Sequence, residues 1–340
     1  MTLHRVQRSL ILSILESVSP GLATRELIQQ GTCFVFTGGR VHKFNDEISC
    51  FREFPVPITG AVKAKSLLDL LSKMSEDEIE IDCDGTTLQI KGKGKKCGLT
   101  MEADILLPIE SVEDAVDWSP VAQGFSEAVG IVHSCASTEE STFVLTCIRI
   151  TPDFLEATDQ YQVARYQIET GVKNVLLVRA ECLKKLTSLD IQEVSESGSW
   201  LHFRNQAGLQ LSCRKYQDKY PELDRHIESL GDTKITLPGG LKEVVDRCSI
   251  FSSENASGSY VLVEIQPDRI IISGEGPSGW YKEMKKTTFS GEPIKFSIAP
   301  KLLVELSSRA NDCFVAPGRL GVSTGKFRYV TCTYSPGSEG

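Results

Sequence analysis

The sequence predicts an α+β fold made of three tandem domains of one kind. A Leu-rich amphipathic helix followed by a β-hairpin with alternating apolar residues occurs three times, beginning at Ala64, Ala180 and Ala299. The interval between copies is far longer than the roughly 20–50 residues of solenoid repeats, so the repeating unit is a whole domain. Turn-forming residues separate the copies at two points.

These turns place the domain boundaries. Asp117 to Pro120 and Leu230 to Asp232 combine Asp, Ser, Pro and Gly, so we predict domains at 1–117, 118–231 and 232–334. A chain of 340 residues has room for two or three such domains, each with its own core. The small, polar end of the chain, 335–340, is predicted to be a disordered tail.

Each domain is predicted to run helix, strands, helix, strands. The first helix, over 4–17, places Val6, Leu10 and Ile14 on one face. The second domain opens with a helix at 120–134 and continues with a strand at 141–150. One apolar face per helix and period-two strands indicate helices packed on one face of curved antiparallel sheets. The predicted helical windows are 4–17, 63–74, 120–134, 179–188, 238–251 and 300–310.

Composition predicts a soluble protein of the cytoplasm. Eleven cysteines occur singly, without a C-x-x-C pair, as is typical of reduced thiols and not of a disulfide framework or a zinc site. No stretch approaches the roughly 20 apolar residues that cross a bilayer, and Glu16 interrupts the apolar run at the N-terminus. We therefore expect no membrane association.

The charges are distributed unevenly. The six helical windows hold twelve basic and seven acidic side chains, a net +5, so with a total of −8 the rest of the chain carries −13. A basic helical layer on an acidic body favours a phosphate backbone facing the helices. Lys and Arg are also good helix formers on solvated faces, and the 120–134 window has no basic residue, so both interpretations stay open.

No motif predicts an enzyme, a cofactor or a metal site. The one G-x-G-x-x-G, Gly274 to Gly279, is followed by an alternating strand pattern where a dinucleotide site needs a helix, so we predict a hairpin turn. The glycines and lysines between Lys91 and Gly98 likewise predict a hairpin tip. The five histidines show no metal-ligand spacing, and Asp159 has no evident catalytic partner.

The segment from Phe154 to Ala164, FLEATDQYQVA, resembles the ATDGHRLA signature of the bacterial DNA polymerase III β sliding clamp. Further segments match in order and spacing, among them VSPGLATRELIQQG, YPELDRHI and SGEPIKFSIAPKLLVEL. The match covers nearly the whole chain. Many departures indicate a divergent clamp, encoded by a bacterium or a bacteriophage.

The resemblance implies a homodimeric ring in which helices line a hole around duplex DNA. Such a clamp catalyses nothing: it slides on DNA through sequence-independent phosphate contacts, tethers a replicative polymerase, and is loaded by a separate ATP-dependent loader. Arg25 and Phe143 match DNA-contacting positions of the family. Together with the helix cations, the predicted DNA-binding residues are Arg5, Arg8, Arg25, Lys63, Lys65, Lys73, Phe143, Lys184, Lys185, Lys242, Arg247, Lys301 and Arg309.

The resemblance also implies a groove for partner peptides between the second and third domains. Gln160, Tyr161 and Gln162 replace the Gly, His and Arg of the signature, while several apolar positions are kept. The residues carried over are Val144, Thr158, Gln160, Tyr161, Gln162, Val163, Pro221, Arg225, Ser297, Pro300, Val330, Cys332 and Tyr334. At the implied dimer interface, Cys97 and Leu99 face Ile250 and Phe251 of the other chain.

Two alternatives stay open. A clamp-like scaffold could bind partner peptides without encircling DNA, which the neutral helix and an interface containing Cys97 in place of a bulky aromatic would favour. An enzyme would have to use the G-x-G-x-x-G segment. The apolar groove and interface positions are also compatible with ordinary core.

Overall fold

A computed structural model describes residues 3–228, 230–252, 254–255 and 258–336. The predicted disordered tail lies mostly outside these residues. The chain forms two compact units: the first comprises Met1–Gly130, Ile150–Pro152 and Glu169–Asp218, and the second comprises Ile131–Arg149, Asp153–Ile168 and Lys219–Gly340. The three-domain division stays a prediction.

The described residues form α-helices and antiparallel strands, with short 3-10 turns between them. The α-helices are α1 (Arg8–Val18), α2 (Ala64–Lys73), α3 (Phe125–Val132), α4 (Ala180–Lys184), α5 (Asp224–Glu228), α6 (Leu241–Ser249) and α7 (Pro300–Arg309). The strands up to α3 are β1 (His4–Gln7), β2 (Cys33–Thr37), β3 (Arg40–Phe44), β4 (Ile48–Glu53), β5 (Gly60–Lys63), β6 (Glu78–Cys83), β7 (Thr87–Gly92), β8 (Lys95–Glu102) and β9 (Ser119–Pro120). Those up to α5 are β10 (Cys147–Ile150), β11 (Phe154–Thr158), β12 (Gln162–Gln167), β13 (Leu176–Arg179), β14 (Glu193–Glu196), β15 (Trp200–Arg204) and β16 (Gln210–Tyr216). The last are β17 (Thr233–Thr236), β18 (Glu254–Asn255), β19 (Gly258–Ser259), β20 (Val261–Gln266), β21 (Arg269–Gly276), β22 (Gly279–Lys286), β23 (Ile294–Ile298), β24 (Asp312–Ala316), β25 (Arg319–Thr324) and β26 (Phe327–Cys332).

One motif repeats six times along the chain: a strand, a helix, then three strands. The copies are β1-α1-β2-β3-β4, β5-α2-β6-β7-β8, β9-α3-β10-β11-β12, β13-α4-β14-β15-β16, β17-α6-β20-β21-β22 and β23-α7-β24-β25-β26. Helix α5 and the β18–β19 hairpin are additions to this pattern. The recurrence of a helix followed by strands, predicted from the sequence, therefore occurs twice in each predicted domain.

In the first unit, one run of antiparallel pairing follows the order β1-β6-β7-β8-β5-β2-β3-β4-β16-β15-β14-β9. The third strand of the first repeat, β4, pairs with the third strand of the fourth, β16, from Gln210 opposite Phe51 to Cys213 opposite Ile48. We call this β4–β16 pairing the first seam.

In the second unit, strands follow the order β11-β12-β26-β25-β24-β17, and a second sheet has the order β22-β21-β20-β23. Here the third strand of the third repeat, β12, pairs with the third strand of the sixth, β26, with Val163 opposite Val330. We call this β12–β26 pairing the second seam. In both seams, the third strand of one repeat pairs with the third strand of another repeat.

The helices bury one face against the sheets, as predicted. In α1 the buried side chains are Ile11, Ile14, Leu15 and Val18, which recur every three or four residues. Helix α1 packs beside α2, and α6 beside α7. Trp200 of β15 is 1% exposed and lies 6.0 Å from the ring of Phe44, within the core of the first unit.

Three predicted elements were wrong in detail. Residues 4–7 form a strand paired with β6, because that pairing outweighs the helical pattern, and α1 begins only at Arg8. Residues 141–146, predicted as strand, belong to the 3-10 segment Glu140–Thr146, which has a kink at Thr142, so β10 begins at Cys147. The helix predicted over 120–134 is shortened to α3, which follows Gly124 in a left-handed conformation.

Both predicted hairpin tips are confirmed. The G-x-G-x-x-G segment joins β21 to β22, with Gly276 opposite Gly279, so no helix begins where a dinucleotide site would need one. The lysine- and glycine-rich tip joins β7 to β8, and Gly94 has a φ of 71°, which favours glycine.

Lys43 of β3 is a fully buried cation. Its Nζ donates hydrogen bonds to the carbonyl of Gly31, at 2.8 Å, and to that of Cys33. The side chain is 0% exposed, and burial lowers the pKa of Lys43 from 10.5 to about 8. Two carbonyl partners satisfy the ammonium without neutralising it.

We predict that Lys43 makes the stability of the fold depend on pH between about 8 and 10.5. Below pH 8 the folded and unfolded chains both bind the proton, so burial of the charge destabilises the fold by a constant amount. Between pH 8 and about 10.5, only the unfolded chain binds the proton. The free energy of unfolding, measured relative to Lys43→Met, therefore rises with pH by about 3 kcal/mol in total. Urea denaturation of both proteins across this pH range measures the difference.

Exposed Lys65 on α2 provides the matched control for this test. Lys65→Met should show no such divergence from the wild type. A constant stability difference between the wild type and Lys43→Met would mean that Lys43 titrates normally.

Candidate nucleic-acid and peptide interfaces

In the first unit, several predicted DNA-binding cations are exposed. Within the part of the chain that the structure describes, Arg25, Lys65, Lys73 and Lys185 form no ion pair. Lys184 lies 3.9 Å from Glu181, and both side chains are about half exposed or more. These side chains are free to contact a phosphate backbone.

Other predicted cations of this unit are used internally. Arg8 donates from Nε to the carbonyl of Glu76, at 2.9 Å, and from Nη1 to that of Leu71, at 2.9 Å, and so caps the end of α2. Lys63 bonds to Glu26 at 2.7 Å, which lowers the pKa of that carboxyl. Arg5 lies on β1, not on a helix, and pairs with Glu80 at 3.1 Å.

In the second unit, Lys301 at the start of α7 is exposed and forms no ion pair among the described residues. On α6, Lys242 bonds to Asp246 one turn along. Arg247 makes two bonds to the Glu283 carboxylate, at 2.9 and 2.8 Å, which hold the pKa of Glu283 below its usual range. Phe143 is half-buried in the 3-10 segment.

Arg309, also predicted to bind DNA, is locked inside the second unit. Its side chain is 10% exposed, and its Nη2 donates to the Ile131 carbonyl, to Ser134 Oγ and to Glu305 Oε1. The guanidinium also stacks 5.0 Å from the ring of Phe327. Arg309 therefore joins α7 to the segment after α3, and its buried guanidinium presents little surface to DNA.

The predicted peptide groove lies on the second unit, around the hairpin that joins β11 to β12. Asp159 stabilises this turn: Oδ1 accepts from the backbone N–H of Tyr161 and of Gln162, both at 3.0 Å. Gln160 has a φ of 81°, a conformation that favours glycine and costs a glutamine about 1 kcal/mol. The turn thus keeps the backbone expected for the signature's glycine although the residue has changed.

The second seam brings most of the predicted groove residues together. Val163 lies opposite Val330, and the Cys332 N–H donates to the carbonyl of Tyr161 at 2.9 Å. A backbone bridge joins Ser297 to Tyr334. Their exposures differ: Thr158, Gln162, Val163 and Val330 are at most 6% exposed, whereas Tyr161 is 55% exposed. Tyr161 is therefore the groove aromatic with the largest free surface.

An ionic network centred on a buried carboxylate lies beside the second seam. Glu156, 0% exposed, accepts from Arg149 at 2.8 Å and from Arg165 at 2.6 Å. Arg165 also bonds to Asp224 at 2.6 Å, at the start of α5, which packs on β12 and β26. This places Arg225, in α5, beside the seam, and Pro221 shortly before that helix in the chain. Val144, in the 3-10 segment, and Pro300, at the start of α7, are half-buried.

Among the third strands of the six repeats, two have an edge without a partner strand in the described residues. From Lys95 to Thr100, β8 pairs with β7 alone, and Cys97 and Leu99 are half-buried opposite Ile90 and Leu88. Strand β22 is the last strand of its sheet. Ile250, beside it, is 69% exposed, and Phe251 stacks on Tyr281 at 6.4 Å.

The sequence analysis missed two apolar side chains on that edge. Trp280 is 71% exposed and Met284 is 61% exposed, both on the face of β22 opposite Tyr281. The alternating pattern that predicted this strand contained the signal, because it places large apolar residues on the face away from the helix.

Within the described ranges, no group of three or more His, Cys, Asp or Glu side chains is arranged to hold a metal ion. In the same ranges, no helix is both long enough and apolar enough to pass through a bilayer.

No protein-family model matches the chain, and no curated protein matches it in sequence. Solved structures do match over nearly the full length. The DNA polymerase III subunit β of Borrelia burgdorferi, in complex with a natural product, has a TM-score of 0.85 at 15% identity, covering 99% of this chain and 100% of that one. The DNA polymerase III β chain of Streptococcus pneumoniae has a TM-score of 0.84 at 16% identity, covering 98% of this chain and 99% of that one. A sliding clamp of Bartonella birtlesii, bound to griselimycin, has a TM-score of 0.81 at 18% identity, covering 97% and 98%.

The fold is that of the bacterial sliding clamp. The predicted α+β class, with helices packed on antiparallel sheets, is therefore confirmed, and so is the resemblance at the level of the fold. The roles of the individual DNA-binding, groove and interface residues stay predictions.

We predict that Arg309→Met lowers the free energy of unfolding by about 2 kcal/mol, because the half-buried Glu305 carboxylate loses its partner. Urea denaturation measures this loss. Lys301→Met on the same helix is the control and should change stability by less than about 0.5 kcal/mol. An Arg309 variant as stable as the wild type would show that the internal contacts contribute nothing.

Proposed function

We propose that this protein is a DNA sliding clamp, a processivity factor without catalytic activity that encircles duplex DNA and tethers the replicative polymerase. The sixfold strand-helix-three-strand repeat, matched over nearly its full length by structures described as sliding clamps, carries the proposal. We place its action in the cytoplasm, at the bacterial nucleoid or, for a phage-encoded protein, in the infected host.

The DNA contacts we propose are fewer than the sequence suggested. Cations that already bond to carbonyls or carboxylates of the chain, such as Arg8 and Arg309, are assigned a role in stabilising the fold. The exposed cations that form no ion pair among the described residues are assigned to DNA, together with Lys184, whose contact with Glu181 is 3.9 Å long: Arg25, Lys65, Lys73, Lys184, Lys185 and Lys301. Long, solvated lysines suit transient phosphate contacts, which a sliding protein needs.

Ring closure follows from the rule of the two seams. The third strands of the first and fourth repeats pair, as do those of the third and sixth. The remaining third strands, β8 of the second repeat and β22 of the fifth, both have a free edge. We propose that β8 of one chain pairs with β22 of a second copy, head to tail, and that two such seams close a homodimeric ring.

We propose the groove beside the second seam as the site that holds short peptides of the polymerase and of the clamp loader. Exposed Tyr161 at the turn, together with Pro221 and with Arg225 of α5, would combine an apolar surface with one cation. The buried carboxylate of Glu156 fixes that wall through Arg165 and Asp224.

A second function, a peptide-binding scaffold that does not encircle DNA, is favoured by one observation. Both free edges carry lysines, with Lys95 and Lys96 on β8 and Lys282, Lys285 and Lys286 on β22. Like charges oppose closure of the ring.

We predict that the protein, loaded by a bacterial clamp loader with ATP, stays on circular DNA and leaves when the DNA is linearised. Gel filtration of labelled protein on a plasmid before and after a single restriction cut measures the retained fraction. Retention must fall sharply on cutting, because topology and not affinity holds a ring. Equal loss from both forms contradicts the clamp and favours the scaffold.

Variants separate the proposed contacts from the fold. For direct binding to linear duplex, each phosphate contact removed in the series Lys65→Ala, Lys185→Ala and Lys301→Ala should lower the slope of log affinity against log salt by about 0.9. Arg309→Met should leave that slope unchanged. Charge reversal at Lys184 and Lys185 without effect on replication would support the scaffold.

We predict that Trp280→Ser raises the dimer dissociation constant at least ten-fold, because burial of the indole in the closing seam contributes about 2 kcal/mol. Light scattering over a wide concentration range measures it. Raising the ionic strength from about 50 to about 300 mM should tighten the dimer, because salt screens the lysines of the two edges.

Val175→Ser is the matched control, since Val175 is 58% exposed and lies outside both edge strands. Lys282→Glu should tighten the dimer and weaken its dependence on salt. A protein that is monomeric at every concentration and salt would contradict the ring.

A further inference from the structure

We infer that the first unit contains a second peptide site, built for a short segment with alternating acidic and apolar side chains. It is a cavity of about 460 Å³ at the end of the first seam, bounded by α1, the β2–β3 turn, the end of β4 and the β15–β16 turn. We call it the α1 cavity. It is formed within the first unit and shares no residue with the proposed groove beside the second seam.

Two arginines make the cavity cationic. Arg52 is half-buried, and its side chain donates one long hydrogen bond, at 3.4 Å, to Ser17 Oγ. Arg40 stacks 4.8 Å from the ring of Phe51. Within the described residues neither guanidinium lies within ion-pair distance of a carboxylate, although Glu53 is directly opposite Arg40 on the neighbouring strand. Unpaired guanidinium groups are the preferred partners of carboxylates.

Apart from Glu53, which also lines the cavity, the remaining side chains are apolar. Leu10 of α1 is 46% exposed on a face otherwise occupied by serines and Glu16, and Ile14 lies one turn further along the helix. The floor contains Phe54, whose ring lies 4.7 Å from that of Phe36 and is only 6% exposed. A phosphate backbone would use the arginines and leave this apolar wall in water, so the combination favours a peptide over DNA.

Glycines keep the mouth of the cavity open. Gly38, Gly39 and Gly208 have φ values of 57°, 73° and 81°, so other residues would be strained there. A Cβ on any of the three would meet no atom within 4 Å, so no side chain of the fold fills the entrance. The three glycines therefore leave the entrance unobstructed.

The volume is sufficient for two or three side chains, within the range of peptide and small-ligand sites. One carboxylate on Arg52 and Arg40, with one leucine-sized side chain against Leu10 and Ile14, would use both kinds of surface. This assignment concerns the first unit alone and does not depend on the proposed clamp function.

The test uses the full chain with labelled isoleucine methyl groups and three capped tetrapeptides. Ac-Leu-Glu-Leu-Glu-NH₂ should shift the Ile14 methyl signal, and its affinity should be at least ten-fold above those of Ac-Leu-Gln-Leu-Gln-NH₂ and Ac-Ser-Glu-Ser-Glu-NH₂. Arg52→Gln and Leu10→Ser should each weaken binding at least ten-fold. Arg328→Gln, an exposed arginine of the second unit, is the control and should bind as the wild type does.

Binding of all three peptides with equal affinity, or binding that Arg52→Gln leaves intact, would overturn the inference. A 12-base-pair duplex is the other probe: displacement of the peptide by this duplex, with DNA affinity lowered by Arg40→Gln and Arg52→Gln, would assign the arginines to DNA and also overturn it. Retention on circular plasmid is measured separately, so failure of the clamp proposal and failure of this inference are distinguishable.

Discussion

Main-chain pairing between third strands of different repeats is the constraint on which the rest of this structure depends. One repeat has a helix to cover one face of its strands, but its last strand has an open edge. The backbone N–H and C=O groups of such an edge are free to pair with another strand. The first and second seams supply that partner twice within the chain. Each seam also positions a surface: the α1 cavity lies at the end of the first, and the proposed peptide groove lies beside the second.

Arginine and lysine have different tasks in this fold. Arg8, Arg165 and Arg309 direct their planar, multiply donating groups at carbonyls and carboxylates that join distant segments. Lysines such as Lys65 and Lys301 extend into solvent. The guanidinium is suited to fixed, bidentate contacts and the ammonium to exchangeable ones. The basic helical layer is therefore partly an internal framework, and only its lysine-rich remainder is available to a mobile polyanion.

The sequence predicted what local periodicity determines. The hairpins at Gly94 and at Gly276 to Gly279, and the apolar faces of the helices, follow from spacing alone. Prediction from the sequence failed where residues distant in the chain determine the local structure. His4–Gln7 forms a strand because β6 lies beside it. Arg309 is buried because Ile131 and Ser134, more than 170 residues away in the chain, accept its hydrogen bonds. Arg309 and Lys301 are both basic residues of one helix, so composition could not separate their roles. The exposed face of Trp280 required the strand's position at a sheet edge, which no sequence window contains.

A seam made of backbone hydrogen bonds carries no sequence code. Every amino acid except proline presents the same N–H and C=O groups, so the joints of this fold survive replacement of most side chains around them. This is compatible with a TM-score of 0.85 at 15% identity. The same lack of sequence dependence reduces the specificity of partner recognition, because an edge that pairs through the backbone accepts any strand of suitable length. In the proposed ring, discrimination between a second copy of this chain and a foreign strand would then depend on the few side chains that flank the edge.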